Sequence, residues 1–402
     1  MPACRRAFYD LGVASAFDLQ GDPDVGRVYD ELTDGLRRPL RVSELVYAAA
    51  ERYPGRLPTR SAIAEERRQL QKDKTGLEVE QGRFVSRVLA DRRAGMHLLY
   101  AMSQPRPEAL ARQDELARTG RVDLGPVLVE RDGPVGHVTL HNDRYLNAED
   151  DEATAALEAA VDLVLLDEAV DVGVLRGGAA VHPKYAGRRV FGSGINLTHL
   201  YEGKISLVEF MIERELGFLS KVYRGHALGV GDDGEPSGWR EKPWLAAVET
   251  HAIGGGFQCL LVMDRVIAEP EASFSLPARK EGIIPGCAAL RLPRYVGERL
   301  SRDLIFFNRA MTAGSAEGRL IADEVVPADD IGRAVERAAA ELISSGTTSV
   351  VANRRALRVA EEPLDRFRLY MSSYAVEQAH CLYSPALIAN LERYWGPARR
   401  TG

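Results

Sequence analysis

Two glycine-rich loops carry the residues best suited to chemistry. The first is Phe191-Gly192-Ser193-Gly194-Ile195-Asn196-Leu197 and the second is His251-Ala252-Ile253-Gly254-Gly255-Gly256-Phe257-Gln258. Glycine lets a backbone approach a ligand closely and adopt positive φ. A helix that starts just after such a loop leaves N–H groups unpaired and adds the positive end of its dipole. Two such loops can aim two N–H groups at one oxygen, an oxyanion hole; taken singly, each loop also reads as a tight turn. Neither fits GxGxxG or GxxxxGK[ST], which excludes the common nucleotide-binding loops.

Several polar side chains stand near these loops in sequence. Gln258 follows the second, and at neutral pH an amide is no general base. Glu149 precedes Asp150, Asp151 and Glu152. Read from its neighbours alone, it is one more acid in a helix's first turn. Leu207, Met211, Arg214 and Phe218 follow i, i+4, i+7, i+11, so Arg214 sits on an apolar stripe; it can reach into a pocket, pair internally or snorkel. Lys184, Arg188 and Arg189 precede the first loop and could meet phosphates or form a plain surface cluster. His141-x-Asp143 has the spacing of part of an iron site, with His182, His199 or His251 as a third ligand, but it falls in a turn. Solvated turn residues are the stronger reading, and no metal ligand is assigned.

The elements that must position these residues are those of an α/β chain. Val127–Val129 and Val135–Leu140 read as strands joined by Arg131-Asp132-Gly133-Pro134. Asn147 to Leu166 reads as a helix with Asn147 as N-cap, and Val170–Leu175 as a buried strand. Residues 205–223 read as a periodic helix. Leu245–Val248 is a strand leading into the second loop, Phe257–Val262 a helix, and 266–268 and 272–276 short strands. Gly229–Gly238 reads as a mobile loop that could gate a pocket. Glu281 lies in the charged run Arg279-Lys280-Glu281, which reads as solvated surface.

The 402 residues suggest two or three domains. Residues 1–120 hold 20 Lys and Arg against 18 Asp and Glu; subtraction from 52 and 58 leaves 32 against 40 for the rest. Helical patterning dominates the first stretch. We divide the chain into an N-terminal helical domain 1–121, an α/β core 122–330 and a C-terminal helical region 331–402. A net charge of −6 argues against binding nucleic acid or an anionic membrane, and no apolar run approaches a bilayer span. Cys4, Cys259, Cys287 and Cys381 form no CxxC, so structural zinc and a disulfide framework are not expected. With no signal-peptide core after Met1, a cytoplasmic location is expected.

From about Val127 to Pro327 the chain resembles the crotonase (enoyl-CoA hydratase/isomerase) superfamily. Residues 140–148 resemble its LNRPxxLNA segment, 190–197 its FxAGxDL loop and 248–256 its second loop. Residues 282–297 resemble its GxxPGxxxxxRLPRxVG run, and 312–327 its TAxEAxxxGLVDEVVP block. The resemblance implies a ββα spiral core, trimeric or hexameric assembly and acyl-CoA thioester substrates. It places the oxyanion-hole N–H groups on Ile195 and Gly255, beside Gly254 and Gly256 at the substrate. It places the CoA phosphates near Lys184, Arg188 and Arg189. No cofactor is needed to hold an enolate.

Departures from the pattern narrow it. The two glutamates with which hydratases of this family add water match Gln258 and Ala278 here, so simple hydration is not expected. Glu281, close to the second position, could substitute if its loop shifts, against its reading as surface. Glu149 stands where the family normally has a leucine, so as a pocket carboxylate it needs a partner or a polar substrate. The N-terminal extension, Gln258 and the polar Glu149 and Arg214 resemble the arylacetyl-CoA dioxygenases of the superfamily. That resemblance implies an enolate that meets O2 directly, without metal or flavin, and yields CoA and a dihydroxyphenylglyoxylate. Glu149 and Arg214 would then hold phenolic hydroxyls, with Gln258 near the reacting carbon. Ile195, Phe257, Leu260, Leu261 and Ile284 could keep the pocket dry. The competing readings are a thioesterase or hydratase of an aromatic acyl-CoA, and an inactive scaffold of the same fold.

Overall fold

The computed structural model describes residues 24–396; Cys4 and the first residues lie outside them. Seven strands form the main sheet: β1 (Arg121–Asp123), β2 (Val127–Asp132), β3 (Val135–Leu140), β4 (Val172–Gly177), β7 (Trp244–Val248), β9 (Arg265–Ala268) and β12 (Glu324–Val325), in that spatial order. The first three are antiparallel. From β3 onward the neighbours run parallel, and helices supply the crossovers. β2 and β3 alternate between buried and half-buried residues, as strands covered on one face do, whereas every residue of the central β7 is buried. A hairpin of β5 (His226–Val230) and β6 (Pro236–Arg240) stands apart. A second sheet joins β8 (His251–Ile253), β10 (Ser273–Ser275) and β11 (Ala310–Thr312).

One apolar cluster fills the space between the main sheet and the Asp151–Leu166 helix, and a smaller one lies under the Ile331–Ser344 helix on the sheet's other face. A third lies apart from the sheet. There the N-terminal helices Val42–Arg52, Glu78–Ala90 and Arg92–Ser103 share a core with the C-terminal helices Leu364–Leu382 and Pro385–Trp395 and with the 205–216 segment. These N-terminal and C-terminal helices thus form one layer of the molecule. A buried ion network ties this layer to the sheet: Lys221 Nζ lies 2.8 Å from both Glu158 and Asp162, and Arg41 and Arg106 also reach Glu158.

Three expectations are corrected. Asp150, not Asn147, caps the helix after β3: its side chain accepts from the Ala153 N–H. Asn147 has φ 57° and is buried, donating to the carbonyls of Leu140 and Val190, so it is a strut between loops. The 205–223 segment is not a regular α-helix. Leu207–Ile212 and Arg214–Leu219 wind as π-helix, and only Ser220–Arg224 is α-helical. Such widened turns are rare and tend to mark functional sites. Residues 229–238 are not a free loop but largely the β5–β6 hairpin. It is held to the Arg92–Ser103 helix by Arg92, which lies 2.7 Å from Glu235, and no hairpin residue lines the cavity described below.

Candidate active site

The two glycine loops lie against each other as neighbouring strands. Gly192 pairs with Ala252: the Gly192 N–H donates to His251 O at 3.3 Å, and the Ile253 N–H donates to Gly192 O at 2.9 Å. On the other edge Glu149 pairs with Ile195. The Glu149 N–H donates to Gly194 O, and the Asn196 N–H to Glu149 O, both at 2.7 Å. This register leaves Ile195 N–H facing away from its partner strand. The Gly255 N–H is the first of the Gly255–Leu260 helix. Neither N–H has an acceptor among the described residues, which is the state an oxyanion hole needs.

Two positions explain the glycines. Gly194 has φ +78°, and a Cβ there would come within 3.2 Å of Ile253 O and 3.6 Å of Gly255 N. A Cβ on Gly255 would collide with the Glu149 carboxylate and stand 3.0 Å from Arg214 Nη2. The loops are therefore glycine-rich because backbone meets backbone on one side and an ion pair on the other.

That ion pair is the electrostatic centre of the site. Arg214 Nε donates to Glu149 Oε2, and Nη2 donates to Glu149 Oε1 at 3.1 Å. Nη2 also donates to Gly255 O at 2.9 Å, and Nη1 donates to Glu215 Oε1 and Gln258 Oε1, each at 2.9 Å. The guanidinium is fully buried. Burial works against its charge, but the Glu149 and Glu215 carboxylates outweigh that and hold it protonated. Burial pushes the Cys259 thiol up, so it is not a thiolate nucleophile. Glu149 is thus no first-turn acid, and Arg214 does not snorkel: together they brace the backbone of the second loop.

A cavity of about 30 Å³ opens in front of this centre. Glu149, Ile195, Arg214, Gly254, Gly255 and Gln258 all line it, bringing together six of the residues singled out from the sequence. Gly256 is not among its lining residues; it packs on Gly192. Ile195 and Ile284 face the cavity, whereas Phe257, Leu260 and Leu261 belong to the core behind the sheet. Across the wall Ala278, Ile283, Ile284 and Pro285 lies an open groove of about 1010 Å³, lined also by Arg279, Arg294 and Arg366.

Lys184, Arg188 and Arg189 do not line the cavity. They gather beside the start of the second loop. Lys184 lies over the Tyr185 ring, Arg188 pairs with Glu269, and Arg189 stands 3.8 Å from Glu249. His251 sits next to them and joins the loops through a 2.9 Å hydrogen bond with Ser193 Oγ. Burial, then Lys184 and Arg188, push its imidazole down to about 4. Among the described residues no three or more His, Cys, Asp or Glu side chains are arranged to hold a metal ion, and His141 and Asp143 line a separate surface depression.

Two other cavity residues, Glu215 and Tyr374, escaped the sequence reading. Glu215 follows Arg214 directly; its second oxygen accepts from the Cys287 N–H at 3.1 Å. Tyr374 comes from the C-terminal helix Leu364–Leu382, and no local signal points to it. Glu281 is the clearest correction. It is buried, not solvated, because the one-turn helix Ala278–Glu281 packs beneath the Pro385–Trp395 helix and turns this side chain inward. Burial raises its carboxyl to about 7, only weakly opposed by Lys280.

The relatives fit this geometry. A family model described as enoyl-CoA hydratase/isomerase matches residues 239–371. A (3,5-dihydroxyphenyl)acetyl-CoA 1,2-dioxygenase of Amycolatopsis orientalis is 48% identical over 368 residues, 90% of this chain and 82% of that one. A probable enoyl-CoA hydratase of Mycobacterium bovis is 29% identical over 267 residues, 62% of this chain and 90% of that one. Two solved structures share the fold at 21% identity. Pseudomonas aeruginosa OdaA has a TM-score of 0.56 and covers 67% of this chain and 98% of its own. An enoyl-CoA hydratase/isomerase from Pseudoalteromonas atlantica has a TM-score of 0.55 and covers 67% and 97%. The chain belongs to the crotonase, or enoyl-CoA hydratase/isomerase, superfamily.

Proposed function

We propose that this protein is a dioxygenase that converts 3,5-dihydroxyphenylacetyl-CoA and O2 to 3,5-dihydroxyphenylglyoxylate and CoA, without a metal or flavin. The observation that carries this is the pair of unpaired N–H groups, Ile195 and Gly255, at a buried cavity whose polar wall is Glu149, Arg214 and Gln258. The 48% identity to the Amycolatopsis dioxygenase supports it.

In this reading the thioester oxygen lies between the two N–H groups, which stabilise it as the Cα–H bond breaks and an enolate forms. Preorganised donors of this kind are each worth roughly 10²–10³ in rate. The carbanion attacks O2, the resulting peroxide attacks the thioester carbon, and CoA leaves as its thiolate. Loss of the second Cα proton cleaves the O–O bond, and both oxygen atoms remain in the arylglyoxylate. Glu149, held in place by Arg214, accepts from the ring hydroxyls, and Gln258, also fixed by Arg214, lies beside the reacting carbon. A pocket with little room for water protects the carbanion. Admitting the ring requires the Ala278–Pro285 wall to shift toward the neighbouring groove. Lys184, Arg188 and Arg189 meet the CoA phosphates, and the chain works as a trimer or hexamer.

The experiment is oxygen uptake in a closed electrode cell, with chelator-treated protein and 3,5-dihydroxyphenylacetyl-CoA. One O2 consumed per CoA released supports the reading. CoA release without O2 uptake replaces it with a thioesterase, a reading that the unpaired carboxyl of Glu281 would also suit. Turnover only after Fe(II) is added overturns the metal-free mechanism.

A further inference from the structure

Three carboxyl groups line the cavity: Glu149, Glu215 and Glu281. Two of them are committed. Both oxygens of Glu149 accept from Arg214, and Glu215 accepts from Arg214 and from the Cys287 N–H. Lone pairs of both carboxylates are already turned to groups of the protein. Gln258 cannot accept a proton at neutral pH. The Tyr374 hydroxyl is spent on Met211 O, and burial holds it well above its ordinary range.

Glu281 differs from all of these. It is 7% exposed, yet its side chain has neither a hydrogen bond nor an ion pair among the described residues. Its oxygens are open to space rather than sealed in the core, and a carboxyl that lines a cavity with no protein partner is free for chemistry. The charged groups around it are few. Lys280, on its own helix, turns its ammonium to the Tyr394 ring at 4.9 Å. Arg279, also on that helix, lines the neighbouring groove. Glu149, Arg214 and Glu215 also line the cavity, and the Pro385–Trp395 helix packs against the Ala278–Glu281 turn with Leu387 at Gly282.

We propose that Glu281 is the base that takes the proton from the thioester Cα. The proposal rests on the reading that this cavity forms a thioester enolate. The Cα–H bond breaks, the proton goes to a Glu281 oxygen, and the electron pair moves onto the thioester oxygen held by Ile195 and Gly255. The carboxylic acid then gives its proton to the departing CoA thiolate. The freed carboxylate takes the second Cα proton, which passes to solvent. An acid–base group near neutrality suits both directions of transfer.

The test is solvent exchange at Cα under nitrogen, with α,α-dideuterated 3,5-dihydroxyphenylacetyl-CoA in H2O followed by NMR. Wild type should wash protium into Cα, with a rate that climbs tenfold per pH unit and levels off near pH 7. Glu281→Gln should exchange at least about 100-fold more slowly and lose that pH limb. Its Kd for the thioester should stay within threefold and its circular dichroism should match wild type. Glu281→Asp should keep the pH limb at a reduced rate. Exchange by Glu281→Gln within threefold of wild type, or an unchanged pH limb, overturns the proposal. The two readings fail separately. Wild-type exchange without O2 uptake removes the dioxygenase and leaves Glu281 as base. O2 uptake with normal exchange in Glu281→Gln does the reverse.

Discussion

Replacing Arg214 by Met probes the site's electrostatic centre. The substitution keeps an unbranched side chain of similar length but deletes six hydrogen bonds: two to Glu149 and one each to Glu215, Gln258, Gly255 O and Cys259 Sγ. Glu149 and Glu215 have side chains 3% and 1% exposed, so they would stay buried without their cation. Breaking a buried pair from one side costs about 3–5 kcal/mol, because the remaining charge is uncompensated. An unfolding entropy of roughly 2.1 cal/mol/K per residue gives about 0.8 kcal/mol/K for a chain of this length, so Tm should fall by roughly 4–6 °C. Scanning calorimetry at pH 7 checks this. The decisive comparison is the double variant Arg214→Met with Glu149→Gln. Removing one orphaned charge should recover part of the loss, so the pair is less harmful than the sum of the singles. A single variant within 1 °C of wild type, or a double variant at the sum of the two losses, would refute the argument that this arginine is held by buried carboxylates.

Three further outcomes are expected. Gly194→Ala should lower the O2 uptake rate by roughly 10²-fold, because φ +78° and the 3.2 Å approach to Ile253 O force the first loop off Gly255; stopped-flow turnover and a separate thioester Kd distinguish lost rate from lost binding. Arg188→Glu should raise KM for the thioester with little change in kcat; an unchanged KM would remove this cluster from CoA binding. Glu362 joins the end of the Thr347–Glu361 helix to Arg291, Arg224 and Arg294. Burial opposes its charge, but these arginines outweigh it and hold the carboxyl at about 2. Its stabilising effect is therefore full above the unfolded value of about 4.3 and is lost as pH falls toward 2. Urea midpoints for Glu362→Gln should lie well below wild type at pH 7 and converge with it near pH 2.

Much of this molecule was legible along the chain. The loops at 191–197 and 251–258 announced themselves because close backbone approach demands glycine, which a local string records. The 127–140 hairpin, the buried strand before residue 177 and the β7 strand followed from apolar pattern alone. Arg214 could be suspected because an arginine on an apolar stripe breaks a local rule, and Glu149 because the family it resembles normally has a leucine there. What the chain did not carry was which neighbour resolves each violation. Only folding sets Glu149 across the bridge to Ile195 and brings Arg214 beneath Gly255. The charged run at 279–281 reads as surface until the Pro385–Trp395 helix, a hundred residues later, covers Glu281. Tyr374 enters the cavity from just as far away. Residue type and spacing determine local conformation and which backbone groups are left free. Burial and pairing of charges depend on contacts between distant segments, and those decide which carboxyl is clamped by an arginine and which is left to accept a proton.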